Sequence, residues 1–165
     1  MKVGWFDAED WEKKYVKDKD LGFDVEFREC SLSPENSEEA EGYDVITVFV
    51  SSEITEEVLD DFDGRMVACR STGFDHVDLE YASSKDVAVC NVPDYGVNTV
   101  AEHTFGLILA SNRRIYSAVK QVENGDFSHE GLRGSDLAGK KLGVIGTGSI
   151  GKKVIDIARG FDMQV

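Results

Sequence analysis

Lys141-Leu142-Gly143-Val144-Ile145-Gly146-Thr147-Gly148-Ser149-Ile150-Gly151 is the stretch that sets the fold class. It holds G-x-G-x-x-G at Gly146, Gly148 and Gly151. A short apolar run, Leu142–Ile145, precedes the glycines and reads as a strand, and a helix is predicted from Ser149 to Arg159. In that strand–turn–helix context each glycine has its own role. Gly146 permits the tight turn, Gly148 lets backbone approach a pyrophosphate, and Gly151 lets helix and strand pack closely. The N–H groups at the helix start, about Ser149 and Ile150, then face the phosphates. A purely structural glycine turn is the alternative. The run from Gly146 to Lys152 also spells G-x-x-x-x-G-K, but an NTPase loop needs a hydroxyl next, and Lys153 cannot bind magnesium.

On the C-terminal side, Met163-Gln164-Val165 reads as the opening of another strand. A dinucleotide site uses an acid about 20 positions past the glycines to bind the ribose hydroxyls and to separate NAD from NADP. Counted from Gly146, that position falls just beyond Val165. One strand, one helix and the start of a second strand cannot cover both faces of a parallel sheet, so this segment is expected to be poorly stable by itself.

On the N-terminal side, Thr99 to Val122 is predicted as one long helix. Val100, Phe105, Leu107, Ile108, Leu109, Ile115 and Val119 give it an apolar stripe, which Asn112-Arg113-Arg114 interrupts. Glu123 to Gly139 is too irregular to assign. Upstream, short runs rich in Val, Ile and Phe alternate with helix-compatible stretches. The strands are Lys2–Phe6, Asp24–Phe27, Asp44–Val50, Met66–Cys69 and Val87–Asn91; the helices are Glu9–Lys17, Thr55–Asp60 and Asp78–Ser84. Thr55 and Asp78 place a capping oxygen ahead of acids. Strand–helix alternation at this rhythm means an α/β fold with a parallel sheet. Ser31–Glu41, with Pro34 and four acids, reads as an exposed, loosely held excursion. A boundary near Asn98 divides residues 1–98 from 99–165.

Charge narrows the partners. Residues 1–64 carry 20 Asp and Glu against 6 Lys and Arg, whereas 65–165 carry 12 of each. That acidic half argues against nucleic acid and against anionic membranes. No run approaches the ~18 apolar residues of a membrane span. Acids stand where a signal peptide needs an apolar core, so a cytoplasmic location is expected. Cys30, Cys69 and Cys90 lie far apart without a C-x-x-C pair, which suggests free thiols, with Cys69 and Cys90 as small buried hydrophobes. No metal site is read.

Four linked motifs, in order and spacing, carry a resemblance: Arg70-Ser71-Thr72-Gly73-Phe74-Asp75-His76-Val77-Asp78, Asn91-Val92-Pro93-Asp94-Tyr95-Gly96, Thr99-Val100-Ala101-Glu102-His103 and the Gly146–Gly151 turn. Together they resemble the D-isomer-specific 2-hydroxyacid dehydrogenases, the family of D-lactate, glyoxylate/hydroxypyruvate and phosphoglycerate dehydrogenases. The resemblance implies a flavodoxin-like substrate domain followed by the start of a Rossmann dinucleotide-binding domain. It implies that backbone N–H groups at Thr72 and Gly73 hold the substrate carboxylate, which suits a turn of N–H donors. Tyr95 matches a position lining the substrate pocket, and Val100 one touching the nicotinamide. The plainer alternatives are that Tyr95 caps a strand end and that Val100 is core.

Also implied is hydride transfer between NAD or NADP, NAD favoured, and a small 2-keto or 2-hydroxy acid, in a homodimer. The family's proton-donating histidine, its glutamate partner and its substrate-clamping arginine match no position here. The chain is therefore expected to be an N-terminal part, inactive alone, with no catalytic residue of its own. A non-catalytic nucleotide-binding or oligomerising module on the same fold is the alternative. Glu102 and His103 are adjacent on a helix and do not face each other, so they form no catalytic pair. Structural or solvated roles are expected for His76, His103 and His129.

Overall fold

The computed structural model describes residues 1–19 and 21–165. They form two compact units, Met1–Pro93 and Asp94–Val165.

In the first unit five parallel strands lie in the order β2-β1-β3-β4-β5. They are β1 (Lys2–Trp5), β2 (Asp24–Phe27), β3 (Val45–Val48), β4 (Met66–Cys69) and β5 (Ala88–Cys90), each within a residue or two of its predicted run. This is the flavodoxin-like order, in which the winding direction reverses between β1 and β3. Helices α1 (Asp10–Lys17), α2 (Glu56–Asp61) and α3 (Leu79–Ser84) connect the strands. Helix α1 starts where the Glu12 carboxylate accepts the Glu9 N–H at 3.0 Å. Helix α3 starts where the Asp78 side chain accepts the Tyr81 N–H at 2.9 Å. Thr55 differs from expectation: its hydroxyl turns to Glu57 rather than capping α2.

The core is made of inward residues from alternate strand positions and from the helices. Phe6, Leu32, Ile46, Val48, Ile54, Val58, Leu59 and Val67 are all but fully buried. Each such side chain contributes about 1.5–3 kcal/mol of transfer free energy. Leu32 and Ala40 correct the reading of Ser31–Glu41 as a loose excursion, since both are wholly buried. Pro34–Ala40 forms two short 3-10 turns separated by a kink at Asn36, whose φ is −138°. Asn36 secures the segment, accepting the Ser33 N–H at 2.8 Å and donating to the Ser31 carbonyl at 3.0 Å. Two buried apolar ends and a local side-chain clamp outweigh the acidic surface.

The second unit corrects two further expectations. The predicted long helix is two helices, α4 (Val97–Asn112) and α5 (Ile115–Glu123). Arg114 adopts a left-handed φ of 52°, which ends α4. The break is held from the following loop: the Asn112 amide donates to the Ser135 carbonyl and Arg114 Nε to that of Arg133. Leu142–Ile145 is not a laddered strand either. A single parallel bridge joins Lys141 to Gln164, with Leu142 N–H donating to the Gln164 carbonyl at 2.8 Å. Met163–Val165 supplies only that one pairing residue. The small core lies between α4 and α6 (Ser149–Gly160). There Ala101, Phe105, Val154 and Ala158 are buried, and Phe105 stacks on Phe161 with ring centroids 5.3 Å apart. Of the predicted stripe only Phe105 is buried; Val100, Leu107, Ile115 and Val119 stand 45–59% exposed.

Candidate active site

The turn after β4 carries Thr72 and Gly73. Ser71, buried, donates its hydroxyl to the Gly73 carbonyl at 2.6 Å, which curls the backbone. From the loop after β5, Asn91 Nδ2 donates to the Thr72 carbonyl at 2.7 Å, and the Thr72 hydroxyl donates to the Val92 carbonyl at 3.1 Å. The Val92 N–H closes the bracket on the Ser71 carbonyl at 3.0 Å. The carbonyls of the turn are thus satisfied. The Thr72 and Gly73 N–H groups find no acceptor among the described residues, and both residues are exposed. A Cβ at Gly73 would meet only Asp75 Oδ2 within 4 Å, at 3.7 Å, so there is room over the backbone. Free donors on a braced turn are an arrangement that can hold an anion.

The strand ends beside it are joined by groups that sequence reading did not single out. Asp7, with a φ of 53°, follows β1. Its carboxylate accepts the Phe49 N–H at 3.1 Å and the Ser51 and Ser52 hydroxyls at 2.6 Å each. Ser52 Oγ in turn accepts the Leu32 N–H at 2.9 Å. Arg70 and Glu12 form an ion pair of 3.0 Å with side chains only 15% and 11% exposed. Burial pushes the Arg70 guanidinium below its ordinary pKa, against the pull of Glu12. These partners of Asp7 and Arg70 lie 42 to 58 positions away and leave no local pattern to read.

In the second unit the glycine turn has the shape its spacing predicts. Gly146 has a φ of +90°. A Cβ on Gly151 would lie 2.1 Å from the Gly146 carbonyl oxygen, so only glycine lets α6 start that close. Gly148 is the N-cap of α6, and the space around it is open. The N–H groups of Ser149, Ile150 and Gly151 have no partner within the helix. This geometry fits a pyrophosphate group at the α6 N-terminus. Tyr95, 61% exposed, lies in the turn before α4, and Val100 lies in its first turn.

His103 and His129 are exposed. His76 differs: its Nε2 is buried without a partner, and desolvation lowers its pKa, with Asp75 and Asp7 opposing. Cys69 is buried, and burial pushes its thiol pKa up; Cys90, expected to be buried as well, is exposed near the open end of the edge strand β5. Among the described residues no three His, Cys, Asp or Glu side chains group as metal ligands, and no helix is long and apolar enough to cross a membrane. A broad groove along the other edge strand, β2, is lined by Lys13, Lys17 and Phe27 and contains none of the predicted site residues.

Known proteins resemble this chain in sequence and fold. The model of the D-isomer specific 2-hydroxyacid dehydrogenase catalytic domain matches residues 5–135. D-lactate dehydrogenase of Escherichia coli is 34% identical over the whole chain, which covers 52% of that protein. A 2-hydroxyacid dehydrogenase homolog of Haemophilus influenzae is 36% identical, with 51% of it covered. The crystal structure of D-lactate dehydrogenase from Aquifex aeolicus complexed with NAD and lactic acid superposes with a TM-score of 0.86 at 29% identity, over 98% of this chain and 49% of that one. The chain spans about half the length of the curated relatives it matches. With a family model over most of its length, and relatives of 34% and 36% identity aligned along the whole of it, the chain belongs to the D-isomer-specific 2-hydroxyacid dehydrogenase family.

Proposed function

We propose that this chain supplies the substrate-anion cradle and the first phosphate-binding turn of an NAD-dependent reductase of small 2-keto acids. The observation that carries the reading is the pair of unpartnered N–H groups at Thr72 and Gly73, on a turn whose carbonyls are all bound elsewhere. Two such donors, next to an open space, suit a carboxylate, whose charge strengthens both hydrogen bonds relative to a neutral acceptor. Tyr95 is assigned to the wall of the substrate pocket and Val100 to the face of the nicotinamide. In this reading residues 1–98 are the substrate domain and 99–165 open the nucleotide domain.

Gly146, Gly148, Ser149, Ile150 and Gly151 are assigned to the dinucleotide. Ser149 and Ile150 would present N–H groups to its phosphates, and Gly148 would let the backbone approach them. The nicotinamide supplies the hydride, while the protein supplies binding and orientation. In this chain Thr72 and Gly73 would hold the carboxylate and so orient the keto carbon. None of the 165 residues matches the family's proton donor or its arginine clamp, so the proton-transfer step is assigned to none of them.

NAD is favoured over NADP, and the relative solved with NAD and lactic acid supports a nicotinamide cofactor. The exposed apolar residues of α4 and α5 support a homodimer. Exposed free thiols at Cys30 and Cys90 fit a reducing compartment, and the cytoplasm is the proposed location. A screen of NADH oxidation with pyruvate, glyoxylate and hydroxypyruvate tests the reading. Turnover with at least one of them by the native protein is expected, and none by a chain ending at Val165. Absence of turnover in the native protein, with NADH still bound, would favour a non-catalytic nucleotide-binding module.

A further inference from the structure

We propose that Arg70, held by Glu12, is the positioning residue of the anion cradle: its guanidinium fixes where the turn Ser71-Thr72-Gly73 stands, so that the Thr72 and Gly73 N–H groups stay free for a carboxylate. The inference rests on the reading of that turn as the cradle.

Arg70 ties the root of the turn to the ends of two neighbouring strands, β3 and β1, and to helix α1. Its own N–H donates to the Val48 carbonyl at 2.9 Å, at the end of β3. Nη2 reaches the carbonyls of Phe6 and Asp7 at 2.8 and 3.1 Å, just after β1. Nη1 donates to the Thr47 hydroxyl at 3.3 Å, and Nε to Glu12 Oε1 at 3.0 Å. The guanidinium also lies 4.8 Å over the Trp5 ring. Glu12 is held in turn, since its other oxygen accepts the Glu9 N–H at the start of α1. Both side chains are nearly enclosed. One residue further on, the buried Ser71 begins the turn.

Two arguments favour positioning over plain stabilisation. A buried ion pair adds little net stability, because desolvation offsets most of the attraction, and apolar residues of like volume serve as well or better. What it adds here is direction. A planar fork with fixed N–H vectors meets four acceptors at once, which a lysine ammonium on a flexible stem cannot do. The turn is gripped on the β5 side by Asn91 and on the β1 side by Arg70, and only the free N–H groups between face outward.

Titration of the full chain with oxamate, a 2-keto acid analogue, tests this by amide NMR, with melting temperature measured in parallel. In the wild type the Thr72 and Gly73 resonances should shift. Arg70→Lys and Arg70→Met should each weaken oxamate by on the order of tenfold, as expected when a binding group is misplaced by a fraction of an ångström. Glu12→Gln, which keeps one acceptor oxygen for Arg70 but loses the charge and the second acceptor that the Glu9 N–H uses, should lose less than either. Should Arg70→Met fail to fold, Arg70→Lys and Glu12→Gln carry the comparison. A folded Arg70→Lys that binds like wild type, whatever its melting temperature, overturns the positioning role and leaves the cradle intact. A wild type whose Thr72 and Gly73 resonances ignore oxamate overturns the cradle itself, and the inference with it.

Discussion

Replacing Gly148 and Gly151 with alanine, one at a time, should separate ligand contact from packing in the glycine turn. At Gly148 the φ of −71° is open to any residue, and a Cβ would meet nothing within 4 Å. Two small stability effects then oppose each other. Alanine is the poorer N-cap by roughly 0.5–1 kcal/mol. It also restricts the unfolded chain, which favours folding by roughly 0.4–1 kcal/mol. The folded protein should therefore change by no more than about 0.5 kcal/mol, the residue of those two terms. The new methyl group instead occupies the space assigned to the pyrophosphate, so NADH binding should weaken by at least about tenfold, equivalent to 1.4 kcal/mol.

At Gly151 the balance differs. Alanine in a helix is favoured by roughly 1 kcal/mol over glycine. Its Cβ, however, would sit 2.1 Å from the Gly146 carbonyl oxygen, inside the 3.0 Å that real contacts respect. The obstacle is backbone, so the turn or the start of α6 must move by close to an ångström, and overpacking of this kind costs about 1–3 kcal/mol. The clash outweighs the propensity. Gly151→Ala should lose both stability and NADH binding, read by urea unfolding and by NADH fluorescence. A Gly148→Ala protein that binds NADH like wild type would refute the pyrophosphate assignment. A Gly151→Ala protein as stable as wild type would refute the packing argument.

Removing Glu12 with Glu12→Ala leaves a buried arginine uncompensated, and unfolding by urea should show a loss of about 3 kcal/mol, the lower end for a broken buried pair because Arg70 keeps its carbonyl partners. His76 has a folded pKa below its ordinary value because burial disfavours the imidazolium. The unfolded chain therefore binds the extra proton first; stability is full above about pH 6.5 and falls as pH drops from there toward the folded pKa. His76→Gln should flatten that part of a melting curve series below about pH 6.5, and an unchanged slope would remove His76 as its source. Sedimentation at micromolar concentration should show self-association through the exposed Leu107, Ile115 and Val119. Leu107→Lys with Val119→Glu should shift it toward monomer, and a wild type that is a clean monomer would count against the dimer.

The parts of this molecule that were legible in its sequence are those written over short distances. The parallel α/β order followed from apolar runs of strand length separated by helix-compatible stretches. The glycine turn was legible because Gly146, Gly148 and Gly151 act on one another across five residues. Long-range partners stayed hidden. Nothing near Arg70 announces Glu12, and nothing near Asp7 announces Ser51 and Ser52, since folding alone brings them together. In Ser31–Glu41 the acids outnumber the anchors and suggest a loose loop, yet the buried Leu32 and Ala40 decide its place. Asn112-Arg113-Arg114 interrupts the stripe visibly in the sequence, but its effect as a helix break depends on contacts with Arg133 and Ser135. Leu142–Ile145 has strand composition, but a ladder needs a partner, and only Gln164 provides one.

The most direct test of the central claim is the handedness of the product formed by the native protein, isolated intact, from pyruvate and NADH. D-lactate, with little or no L-lactate, is the expected result. Formation of L-lactate, or no reduction of pyruvate, glyoxylate or hydroxypyruvate by that intact protein, would contradict the assignment of its Thr72–Gly73 turn and glycine turn to D-specific 2-keto acid reduction.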